Sequence, residues 1–198
     1  MTPTFSNRGL TLLGTASALA LVLAGLPAQA HGIADTGLAS GFLHPLLGID
    51  HLLLLVGLGT VAAVLHSGLL LWGLAGALAG GTLGQLGASL PGQEFLAALA
   101  VSGLGLMVLL ALKTRREPQL SLYGALISTA VAVHALLHGL EAPSGQAPSW
   151  WLGAAAASLL VSGASWLLLR RLPLGWSQAI GLLLAVSGGA LGVGLALG

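Results

Sequence analysis

Four of the six histidines in this chain fall in two short segments whose other residues are almost all apolar. The first, HPLLGIDH, carries His44, Asp50 and His51; the second, VHALLHGLE, carries His134, His138 and Glu141. Imidazole nitrogens and carboxylate oxygens in this combination suit a divalent transition metal. Ni, Co, Zn and Cu(II) accept imidazole readily, whereas Mg and Ca prefer all-oxygen shells. The chain contains no cysteine, which removes thiolate cages, disulfides and a cysteine nucleophile. On a helix His134, His138 and Glu141 are spaced i, i+4, i+7 and share one face, and His44, Gly48 and His51 repeat that spacing. Gly48 would leave room for an ion, or another helix, between the two imidazoles. Asp50 is adjacent to His51 and points about 100° away on a regular helix. It becomes a ligand if the helix opens near Pro45 and Gly48; otherwise it accepts a hydrogen bond from a ligating imidazole and fixes that ring's tautomer. Spacing leaves both open. Pro45, which lacks an N–H, either starts the helix with His44 as its cap or marks a bend.

The surrounding chain dictates where this chemistry takes place. Hydrophobic residues make up 56% of the 198 positions and charged residues 6%, with a mean hydropathy of +0.99. That balance belongs to a membrane protein. Residues 1–30 run from MTPTFSNRG through an apolar stretch to Ala-Gln-Ala, the pattern of a secretory signal cut after Ala30, an uncleaved anchor being the rival. Six apolar runs follow, near residues 43–65, 68–90, 94–112, 120–141, 150–169 and 176–197. The expected fold is therefore all-α: a cleavable signal peptide (1–30), then a polytopic membrane bundle of six transmembrane helices forming one domain (31–198). Lys113, Arg115 and Arg116 fall in the turn after the third run, and Arg170 and Arg171 after the fifth. With an exported mature N-terminus, the positive-inside rule makes those turns cytoplasmic and places both mature termini outside. With a net charge of +1 and no extended basic face, nothing points to nucleic acid; the partners are the bilayer and an ion.

This topology sends the first run inward and the fourth outward, so both histidine segments lie in the periplasmic half. A charge at the bilayer centre costs about 2.5–3.5 kcal/mol on insertion scales, so polar groups there take partners and often mark function. The competing role, capping helices or hydrogen bonding across the bundle, suffices for His66 at the first cytoplasmic turn, an exit ligand being the alternative. Trp150, Trp151, Trp166 and Trp176 fall near the ends of their runs, as interfacial aromatics do, while Trp72 fits less well. In the second run Gly76, Gly80 and Gly84 form a continuous ridge that lets another helix approach closely. Gly188 and Gly189 suggest no site role.

At these residues the sequence resembles the HupE/UreJ family of bacterial nickel and cobalt permeases. That family carries H-x5-D-H in its first mature span, complete here as His44, Asp50 and His51. A later span carries a pattern close to F-H-G-x-A-H-G-x-E, of which His134, His138, Gly139 and Glu141 are kept. Val133, Ala135 and Leu137 stand where the pattern has Phe, Gly and Ala, and Leu55 where Met is frequent. The resemblance covers nearly the whole chain. It implies inward transport of Ni2+ or Co2+, with an indirect link to hydrogenase or urease maturation, and His44, Asp50, His51, His134, His138 and Glu141 as metal ligands. The metal is cargo, and no permanently bound cofactor is implied. A mature N-terminus at His31 adds an α-amine beside an imidazole, with Asp35 near, a chelating arrangement for an external collecting site; the alternative is a short unstructured leader.

There is no Gly-Lys-Ser/Thr phosphate loop, so transport would be secondary or facilitated rather than driven by ATP in this chain. An enzyme is not expected. The rival classes are an intramembrane zinc-dependent hydrolase, with Glu141 or Asp50 activating water, and an accessory protein that binds metal without transporting it.

Overall fold

The structure is a computed structural model and describes residues 37–114, 119–142 and 147–197. The expected signal peptide, His31, Arg115 and Arg116 lie outside the described residues, as does the side chain of Glu141. Among the described residues there are seven helices and no strand: α1 (Leu38–Leu47), α2 (Ile49–Val64), α3 (Leu69–Gln85), α4 (Gln93–Thr114), α5 (Leu120–Glu141), α6 (Ala147–Leu169) and α7 (Leu174–Leu197). The chain is an all-α, multi-pass membrane protein. Four helices, α4 to α7, are long and apolar enough to cross a bilayer. Large apolar side chains on the outside of the bundle, such as Leu71, Leu110 and Leu152, are mostly exposed, as a lipid-facing surface requires.

The first expected span, a single helix over residues 43–65, is corrected. Two helices, α1 and α2, meet there at 80°, with Gly48 between them. Pro45 neither starts a helix nor sits at the corner: it lies inside α1, three residues before the break, where it cannot donate to the preceding turn. Gly48 is extended (φ −77°, ψ 116°); its N–H donates to His44 O at 3.1 Å, closing α1, and its carbonyl accepts from Leu52 N–H at 3.0 Å, opening α2. The second expected span is shorter than its apolar run. α3 has 17 residues, about 26 Å at 1.5 Å per residue against a hydrocarbon core of about 30 Å. It stops where Gly87 takes a φ of 85°.

Close glycine contacts set the order of the helices. Gly76, Gly80 and Gly84 of α3 lie directly against the backbone of α5 at Ser128, Ala132 and Leu136, so the two helices run parallel and α3 serves as a rail for α5. Gly59 of α2 meets Ser162 and Trp166 of α6, also parallel; Gly105 of α4 meets Gly181 and Ala185 of α7, while Gly188 meets Ala98 and Ser102, an antiparallel pair. Gly188 thus has a packing role, reinforced by the Ser102 hydroxyl donating to Ala185 O at 2.8 Å. Trp72 also gains a place, its indole lying over Gly124 of α5. Consecutive long helices therefore alternate in direction. Lys113 and Arg170 come to the same end of the bundle, because α4 ends beside the start of α7. The Arg170 guanidinium sits 5.0 Å from the Trp166 ring centroid. The core between α2, α4, α5 and α7 is closed by Val61, Val101, Leu104, Val108, Ile127 and Leu184.

The glycine rail gives opposite expectations at two sites. A Cβ on Gly80 would run into the Ala132 backbone, whereas one on Gly103 meets nothing within 4 Å. Gly80→Leu should therefore destabilise by on the order of 1–3 kcal/mol through overpacking, and Gly103→Ala should stabilise by roughly 0.5–1 kcal/mol through helix propensity. Thermal unfolding in detergent, followed by circular dichroism, checks both signs.

Candidate metal centre

The break at Gly48 decides the local geometry. α2 begins at Ile49, so Asp50 and His51 occupy its first turn, where the positive end of the helix dipole favours a carboxylate. On α5, His134 and His138 stand one turn apart near the C-terminal end. The rail formed by α3 brings that end of α5 to the level of the α1–α2 corner.

Four side chains converge there. Asp50, His51, His134 and His138 each offer a donor atom, and these four atoms lie within 4.8 Å of one another. Asp50 Oδ1 is 3.1 Å from His51 Nδ1, and Oδ2 is 3.7 Å from His134 Nε2 and 3.9 Å from His138 Nε2. A single first-row ion with bonds of about 2.0–2.2 Å holds neighbouring donors roughly 3.0–3.6 Å apart, so closing on an ion takes shifts of about an ångström. The three imidazoles are buried, at 7%, 4% and 5% exposure for His51, His134 and His138. Neither ring nitrogen of His134 has a hydrogen-bond partner, although both are out of reach of solvent. An orphaned buried imidazole calls for an explanation, and a ligated ion provides one.

Asp50 can fill both roles that the sequence left open, one with each oxygen. If His51 donates from Nδ1 to Oδ1, its Nε2 is left with a lone pair for a ligand. Oδ2 meanwhile faces the two imidazoles of α5. This required neither a distorted α2 nor a side chain on the His51 face; it required the chain to change direction just before Asp50.

His44 joins the cluster from α1 without being one of the four converging donors. Its ring centroid lies 4.7 Å from that of His51 and 5.0 Å from that of His138. The expectation that His44, Gly48 and His51 share a face of one helix does not hold, because the helix ends between them. The 80° corner brings the rings together instead. The backbone of Glu141 ends α5, three residues beyond His138. His66 is remote: its Nδ1 accepts the Gly68 N–H at 3.0 Å and stabilises the α2–α3 turn.

Two features were missed by sequence reasoning. Trp150 was expected at the membrane interface; it is 5% exposed, and its ring stands 4.9 Å from His44. Gly41 and Gly153 bring α1 and α6 into backbone contact and so draw Trp150 inward. The only signal in the sequence was a tryptophan in the first turn of an apolar run, which reads equally well as interfacial. The second feature is a cavity of about 350 Å3 that borders His44, His51, His134 and His138 and extends between α3 and α6.

Comparison with known proteins agrees with the motifs. The family described as HupE / UreJ protein matches residues 19–195. The chain is similar to Protein HupE of Rhizobium leguminosarum bv. viciae, with 31% identity over 145 residues, covering 69% of this chain and 73% of that protein. No solved structure matches.

The corner makes Gly48 a sensitive test of this geometry. A Cβ there would sit 2.5 Å from His51 Nδ1 and 3.2 Å from Asp50 Oδ1. Gly48→Ala should displace both side chains and weaken Ni2+ affinity by about 10–100-fold, the usual loss when the orientation of a ligand is disturbed, while helix content stays unchanged. Calorimetric titration of Ni2+ into the detergent-solubilised protein measures it.

Proposed function

The chain belongs to the HupE/UreJ family, and from that premise we propose that it carries Ni2+ or Co2+ inward across the bacterial inner membrane. The observation that carries this reading is the convergence of Asp50, His51, His134 and His138, three of them buried, within one helix bundle. Neutral imidazoles with one carboxylate can replace the hydration shell of a borderline-soft dication and offset part of its charge in a low-dielectric setting. Glu141 would add a second carboxylate, His44 a fourth imidazole on the approach side, and His31 a collecting ligand outside. Residues 1–30 act as a cleaved signal, and 31–198 form the transport domain.

In this reading α1 and α2 together make one broken span and the short α3 another, giving six spans with both mature termini periplasmic. The shared end of Lys113 and Arg170, far from the cluster, supports a cytoplasmic position for that end. A helix broken at a binding site is a recurring device in transporters, where irregular backbone is tolerated beside a cavity. Transport is facilitated or secondary. A dication moving inward gains about 4.6 kcal/mol at 100 mV, twice the ~2.3 per charge, enough for more than about a thousandfold accumulation. Delivery to hydrogenase or urease maturation would follow downstream.

Purified protein in liposomes carrying an internal metal-sensitive dye provides the test. With an inside-negative potential, wild type should pass Ni2+ or Co2+, and His134→Ala and His138→Ala should each reduce flux to the protein-free level while still reconstituting normally. Metal binding without flux in wild type would instead favour a non-transporting accessory role. Unchanged flux in both variants would remove the site.

A further inference from the structure

The cavity that touches the histidine cluster does not end there. It follows α6 from Trp150 to Gly163 and α3 from Gln85 to Leu70, and so runs towards the end of the bundle that carries Lys113 and Arg170. Thr82 and Gln85 of α3 line it at the level of the histidines; beyond that level its walls are leucine, valine, alanine and glycine, with two exceptions, Ser158 and Ser162 of α6. Ser162 lies opposite Gly59 of α2, eight residues past His51 and so about 12 Å further along that helix. Its side chain is 5% exposed, and its hydroxyl donates to Ser158 O at 2.7 Å. The proton is thus turned back along the helix, and the lone pairs of the oxygen remain available to accept.

Resting on the transport reading above, we propose that this cavity is the inward leg of the ion's path and that Ser158 and Ser162 mark its course, their hydroxyl oxygens holding the waters of a partly hydrated dication after it leaves the histidines. A bare dication cannot cross an apolar cavity, because desolvation is not repaid by any wall atom. Water can accompany it only where polar groups anchor that water. Past the cluster, the two serines are the only lining side chains among the described residues that can do so. They are positioned as successive steps, i and i+4 on one helix face.

The test is a Ser158→Ala/Ser162→Ala double variant, measured for Ni2+ affinity in detergent and for Ni2+ flux in liposomes, with Ser162→Thr as the variant that restores an oxygen and His138→Ala alongside. The double variant should keep Ni2+ affinity within about twofold and lose flux by about tenfold or more, the scale of a lost hydrogen bond to a charged species; Ser162→Thr should retain flux. Wild-type flux in the double variant with His138→Ala inactive would overturn the path and leave the transport reading standing. Wild-type flux in His138→Ala would overturn both. Because the chain has no cysteine, a second measurement does not depend on these variants transporting. Ser162→Cys should react with a cationic methanethiosulfonate reagent, whereas Leu160→Cys, on the same helix and 58% exposed on the outer face, should not react in liposomes. Equal inertness of both would contradict a water-filled path.

Discussion

A bilayer offers no water to an imidazole or a carboxylate, so every such group within the bundle must be satisfied by another part of the protein or by a ligand. Most of this structure can be understood as meeting that constraint at one place. Asp50 is the centre of it, with one oxygen against His51 and the other facing His134 and His138. Neither helix could satisfy its polar residues alone. The corner at Gly48 turns the first turn of α2 towards α5, and the glycine rail of α3 holds α5 close enough to receive it. Glycine is abundant here because backbones must touch where side chains cannot supply a hydrophobic driving force between helices.

The two residues that ring this centre show how packing and chemistry share the same elements. His44 arrives on α1, which lies against α6, and Gly41 and Gly153 allow that contact. The same contact buries Trp150 beside His44. Trp150 also lines the cavity, so an apolar ring stands against the imidazole where the cavity meets the cluster. The cavity borders all four histidines and continues between α3 and α6.

Much of this could be read in the sequence, and the failures have physical causes. The membrane class, the pairing of the two histidine segments, the Gly76–Gly80–Gly84 ridge and the ordinary role of His66 all follow from residue type and spacing, which are local properties. The corner did not follow, because hydropathy is blind to direction: HPLLGIDHLLLL is equally apolar whether straight or bent at Gly48. Pro45 and Gly48 marked where the helix could open, but not that the chain turns there by 80°. Likewise a 17-residue α3 within a longer apolar run reflects where the chain turns, at Gly87, rather than any change in hydrophobicity. The contact of Trp150 with His44 was not legible because an aromatic at a helix start has the same appearance whether it meets headgroups, a neighbouring helix or both. The cavity and its serines lay beyond reach, since they depend on the gap between α3 and α6, two helices with no shared motif.

The central claim is that Asp50, His51, His134 and His138 hold one ion between them. X-ray absorption at the nickel edge of the Ni2+-loaded protein measures that shell directly. The account predicts imidazole scattering from about three rings at roughly 2.0–2.1 Å with the remaining positions filled by oxygen, and loss of one ring in His134→Ala. A shell of oxygen alone, or one unchanged by that substitution, would contradict it.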